Sequence, residues 1–208
     1  MIYDFPDRSQ PIKQGDVFYP LPSISLDLNK MAILSEKGTL EEANWPIIKD
    51  KKNIVLNIPM KQVWGVVATQ DCDASRAPII SFFGIGIFKE VTGLDLPPRP
   101  NKRVHMIIQK SRLNARWFYL PSDEKIGFEE SMAINFHFVF HILRENLEQY
   151  VEELRKGRLN KVAFQHYRES IAQYFRRYPY DEWYPLNNDE FVEYKKENGS
   201  VKPFEWQQ

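Results

Sequence analysis

Val63-Trp64-Gly65-Val66-Val67-Ala68-Thr69-Gln70-Asp71-Cys72-Asp73 is the stretch that decides how this chain is read. Its first seven residues are nearly continuous apolar, the pattern of a strand buried on both faces. It ends on two aspartates that flank the only cysteine. A strand that delivers a polar cluster at its C-terminal end can hold a site on a rigid scaffold. Alternation along an unbroken strand sets Asp71 and Asp73 on one face and Cys72 on the other, beside Trp64 and Val66. The aspartates are then expected to open to solvent or to an arginine, and the thiol to be buried and slow to react. Asp71, Cys72 and Asp73 are the first candidate binding residues.

Outward from this strand the pattern stays β. Residues 1–14 carry prolines and charges without a period and read as a surface leader. Gly15-Asp16 opens a strand at Val17-Phe18-Tyr19, which Pro20 and Pro22 are expected to close because proline lacks a ladder donor. Residues 23–60 read as a long insertion, with Ile47-Ile48 and Ile54-Val55-Leu56 forming a hairpin around a charged turn. Ile79 to Val91 is a further strand, in which Gly84 and Gly86 mark a bulge or bend. Val104 to Ile108 and Ala115 to Leu120 read as two strands, and Met132 to Ile142 as the last.

The period then changes. Leu147, Val151 and Leu154 predict a helix ended by Gly157. A second helix, capped by Asn160, carries Ala163, Tyr167, Ile171, Tyr174 or Phe175, and Tyr178 on one face and stops at Pro179. A tail with Trp183, Phe191, Tyr194, Phe204 and Trp206 follows. The expected fold class is mainly β. A small barrel covers residues 1–142, with the insertion at about 23–60, and a two-helix arm and aromatic tail, residues 143–208, pack on it.

Lys+Arg and Asp+Glu both total 28, so the formal charge is zero. That weighs against a protein that coats long nucleic acid, whose affinity comes mostly from neutralised phosphates. One cysteine excludes an internal disulfide and an all-cysteine zinc site. No segment has the pattern of a signal peptide or the roughly 20 apolar residues of a membrane span. The expectation is a cytoplasmic protein with no membrane partner.

Two further groups bear on chemistry. His137 and His141 are four apart and share one face of the last strand. With Cys72 or an aspartate they could complete a three-ligand zinc site. Alternation gives Phe136, Phe138 and Phe140 to the core, however, and exposed histidines on a half-buried strand are ordinary. No metal or other cofactor is therefore expected. Arg112, Arg116 and Trp117 interleave cations with a ring, as sites for single-stranded RNA do. A solvated hairpin over a core strand is the plainer account of them.

Gly15-Asp16-Val17, followed by Gly65-Val66-Val67-Ala68, resembles the opening of the PemK/MazF-like toxins. The pattern is also similar to bacterial proteins with a G-D-I/V-F start and a Q-D-C-D strand end. The resemblance to the toxins spans roughly residues 13–142 and implies an SH3-like barrel, a homodimer and a metal-independent endoribonuclease. The toxins carry an Arg-Pro pair before the second motif strand, where this chain has Val63-Trp64, so no catalytic residue is carried over. The leading expectation is a non-enzymatic bacterial binding module. It would recognise a protein partner or RNA through the barrel edge near Asp71–Asp73. The alternatives are a toxin-like ribonuclease using Arg112 or Arg116, and a metal-dependent hydrolase.

Overall fold

The computed structural model describes residues 2–7, 9–35, 37–113 and 115–176, with residues 189, 192, 193 and 196 beyond them. The aromatic tail from Trp183 to Trp206 lies outside the described residues. In chain order the elements are β1 (Tyr3–Asp4), β2 (Asp16–Ile24), β3 (Met31–Leu34), β4 (Leu40–Ala43), α1 (Trp45–Ile48), β5 (Val55–Asn57) and β6 (Met60–Val67). They continue with α2 (Asp71–Ala74), β7 (Ile79–Ile87), α3 (Phe88–Thr92), α4 (Pro100–Leu113), β8 (Trp117–Leu120) and β9 (Met132–Leu143). The last are α5 (Arg144–Gln149), α6 (Val151–Leu154), β10 (Arg155–Leu159) and α7 (Lys161–Phe175). Two units divide the chain, residues 1–171 and 172–208.

The first unit is built on an antiparallel seven-stranded sheet in the order β1-β10-β2-β6-β7-β9-β8. β6 lies inside it, as its apolar run requires, with Gly65, Val66 and Val67 buried. Phe18, Leu21, Val67, Ile80 and Phe82 form one buried cluster with Leu147 of α5. No ladder joins β1 to β8, so among the described strands the sheet ends on two edges and is not a closed barrel. The edges meet instead through a side chain-to-backbone bond: the Tyr3 hydroxyl donates to the Pro121 carbonyl at 2.9 Å.

β2 continues past Pro20 and Pro22, where the sequence predicts a stop, but its register against β6 shifts between Phe18 and Leu21, so Pro20 sits in a bulge. Along β2, β10 pairs only with Asp16–Phe18, so the side of β2 facing away from β6 has no ladder at the prolines to interrupt. Gly84 fulfils its expected role. The register between β7 and β9 shifts between Phe83 and Gly84, and a Cβ at Gly84 would lie 2.0 Å from Cδ1 of Phe138. Only glycine lets the ring of the bulged strand lie there.

The insertion is a small domain-like addition. β2 beyond Leu21 and β6 before Val63 form a two-stranded ribbon that leads to a separate sheet of order β4-β3-β5. Met31, Ile33, Ala43 and Ile48 make its core. Ile47 and Ile48 belong to α1 rather than to a hairpin. Asn44 caps that turn by accepting the Ile47 amide, and Pro46 sits in its first turn.

Two larger corrections concern helices. Val104 to Ile108 lies in α4, not in a strand. Its β-branched residues suit either state, but Arg103, Met106, Ile107 and Lys110 turn inward at helical spacing. The expected arm is also interrupted. After α5 and α6 the chain returns to the sheet as β10, with Gly157 inside the strand, where a Cβ would meet Ile126 and the Asp4 carbonyl. A boundary at residue 142 would therefore separate β10 from the sheet it completes. Asn160 caps α7 as expected, accepting the Ala163 amide at 2.9 Å. Tyr167 is fully buried and Tyr174 half-buried, while Phe175 is 69% exposed, so of the two alternatives Tyr174 continues the apolar face.

Candidate functional site

The Asp71–Asp73 cluster does not continue the strand. β6 stops at Val67, and the Thr69 hydroxyl accepts the Ser81 amide at 2.8 Å. Asp71 then opens α2, so successive side chains turn by about 100° instead of alternating. Asp71 accepts the Gln14 backbone amide at 2.8 Å, and the Gln14 side chain donates to the Ala68 carbonyl at 2.8 Å. The carboxylate ties the entry of β2 to the exit of β6. Asp73 pairs with Arg76 at 2.9 Å, and this hydrogen bond holds the Arg76 guanidinium above its usual pKa. Cys72 is exposed, not packed beside Trp64 and Val66.

Arg116, on the surface, lies just before β8, and its backbone carbonyl accepts the Phe136 amide at 3.0 Å. β8 is three strand steps from β6, about 14 Å along the sheet. The side chain of Arg112 lies outside what the structure describes. Trp117 is 4% exposed and packs edge-on against Phe88, with ring centroids 5.3 Å apart. It is a core residue and offers no face to a base.

His137 and His141 are both on the exposed side of β9. His141 Nδ1 lies 3.1 Å from the Ser81 hydroxyl, and the His137 amide donates to the Asn135 side chain. Among the described residues no three His, Cys, Asp or Glu side chains come together as metal ligands would. The zinc arrangement is not assembled there.

A buried ionic cluster went unnoticed in the sequence. Asp16 is fully buried and accepts from both Arg155 and Arg158, whose side chains are 3% and 14% exposed. Arg155 also donates to the Gln10 and Asp7 carbonyls, and Arg158 to the Pro11 carbonyl at 3.0 Å. A register shift between Arg155 and Gly157 lets two arginines three apart reach the same carboxylate. The cluster clamps the leader to β2 and β10.

The second feature missed is α4. Between Asp95 and Asp123 the chain carries Arg99, Lys102, Arg103, Lys110, Arg112 and Arg116, and no Asp or Glu. In a chain of zero formal charge this is a strong local segregation. The signal was legible, but dividing the stretch into two strands hid it. Met106 and Ile107 seat α4 against Phe88 and Trp117, and Arg103 Nε donates to the Pro97 carbonyl at 3.2 Å. Val104 and Ile108, four apart, are 55% and 49% exposed, next to exposed Lys102 and His105. The helix shows solvent a short apolar stripe flanked by Lys102. No helix among the described residues is long and apolar enough to cross a membrane. No protein-family model matches the chain, and no curated protein matches it either.

Proposed function

We propose that this chain is a non-enzymatic binding module that takes an acidic protein partner on the exposed face of α4. One observation carries the reading: a helix seated in an acid-free, cation-rich stretch displays Val104 and Ile108 at a spacing of four. Apolar anchors within a positive patch suit a negatively charged, partly apolar protein surface. RNA readers use exposed rings for stacking, and the ring expected to serve, Trp117, lies in the core. The Asp71–Asp73 edge leaves the proposal because Asp71 and Asp73 are engaged by Gln14 and Arg76.

The same reading keeps an SH3-like, PemK/MazF-like origin for the sheet and a bacterial cytoplasmic setting. Support for that origin is the pairing of its two motif strands: Val17 faces Val66, and Phe18 faces Gly65. The test is capture from cell extract on the immobilised protein, with and without ribonuclease. The proposal expects an acidic protein to be retained after nuclease treatment and lost with Lys102→Glu or Val104→Asp. Retention abolished by ribonuclease would favour RNA instead.

A further inference from the structure

β8 covers only part of β9. Its ladder spans Met132 to Asn135, and beyond the Phe136 amide β9 runs on to Leu143 with β7 as its one neighbour among the described strands. The direction of the free backbone groups follows from two bonds. The Arg144 amide donates to the Pro78 carbonyl at 2.9 Å, so the pair 144/78 is hydrogen-bonded, as are 142/80 and 140/82 by alternation. Ser81, the partner of His141, directs its carbonyl the other way, to the Ala68 amide at 2.8 Å. Val139, His141 and Leu143 therefore turn their amides and carbonyls away from β7, toward an edge that no described strand covers.

That edge lacks the usual protection. From Met132 to Leu143 there is no Lys, Arg, Asp, Glu or Pro, the residues that normally keep a free strand from pairing. Val139, His141 and Leu143 also expose their side chains on one face. About His141 the exposed pattern reads the same in both directions: apolar, histidine, apolar. A two-fold axis through His141 would set Val139 opposite the second copy's Leu143 and His141 opposite itself, with no charge buried.

We propose that the 139–143 edge of β9 pairs antiparallel with the same edge of a second copy of this chain, continuing the sheet across a two-fold axis. Self-complementarity selects the second copy over a foreign strand, which would have no reason to match this register. The two His141 residues form a hydrogen-bonded pair with Cα atoms about 5.5 Å apart. Cysteines at that position would lie within the span of a short bis-maleimide crosslinker.

The test is sedimentation equilibrium over the micromolar range, on wild-type protein, a Val139→Lys/Leu143→Lys double variant, and His141→Cys in a Cys72→Ser background. The proposal expects a wild-type dimer and a folded monomer from the lysine variant. It also expects a covalent dimer when His141→Cys is treated with a short bis-maleimide. A wild-type monomer would overturn it. So would a dimer that survives the two lysines, or a dimer in which His141→Cys is not crosslinked by the bis-maleimide.

Discussion

The hydroxyl of Tyr3 donates to the carbonyl of Pro121 at 2.9 Å, joining the first strand of the sheet to the residue that follows its last strand in space. Two edges that no ladder connects are thus held by one buried phenol, whose ring also meets Phe128 edge-on at 5.9 Å.

The phenol can donate only while protonated. Burial, with the charge of Asp123 adding to it, pushes the Tyr3 pKa well above the usual tyrosine value, and burial does the same for Tyr167. A raised folded pKa gives stability that is fully present below the unfolded value of about 10 and lost as pH rises toward the folded one. Urea midpoints should therefore be flat approaching pH 10 and fall above it. Tyr3→Phe should reduce the alkaline slope while lowering stability at neutral pH by about 1 kcal/mol.

Asp16 is the centre of the clamp on the leader. Asp16→Asn keeps the shape but leaves Arg155 and Arg158 without their buried countercharge, a loss of about 3–5 kcal/mol. Chemical denaturation should show that drop. A change within about 0.5 kcal/mol, the range of an ordinary surface substitution, would mean the arginines are satisfied by the leader carbonyls alone.

Tyr167 and Phe175 lie on one helix but should differ sharply. Tyr167 is fully buried and donates to the Val67 carbonyl at 3.1 Å, so Tyr167→Ala should cost about 3–5 kcal/mol. Phe175→Ala removes an exposed ring and should stay within about 0.5 kcal/mol. Thermal melts of the two variants check the contrast.

Cys72 should react rapidly and stoichiometrically with a thiol reagent in the native protein, because it is exposed on α2. Labelling that waits for denaturant would place the thiol inside the fold.

How much of this was legible in the sequence differs from residue to residue. The continuous apolar run at Val63–Thr69 located the inner strand because burial on both faces leaves little choice of residue. Gly84 announced the bulge, and Asn160 its helix, because local backbone geometry demands those residue types. Val104 to Ile108 misled because β-branched residues fit either state once tertiary packing decides. Asp71–Asp73 misled for another reason: the strand ended at Val67, six residues before Asp73, and a single helical turn reassigned every side chain. The Asp16 cluster joins residues about 140 apart in the chain and leaves no local pattern to read. The cations of α4 were visible as a charge run, but only the helix shows Val104 and Ile108 lying among them.

The claim that α4 is the binding face is tested most directly by photocrosslinking from Ile108→p-benzoylphenylalanine in cells. The account predicts a covalent adduct to an acidic protein, unchanged by ribonuclease and absent when Lys102→Glu is added. No adduct from this position, or an adduct that ribonuclease removes, would contradict it.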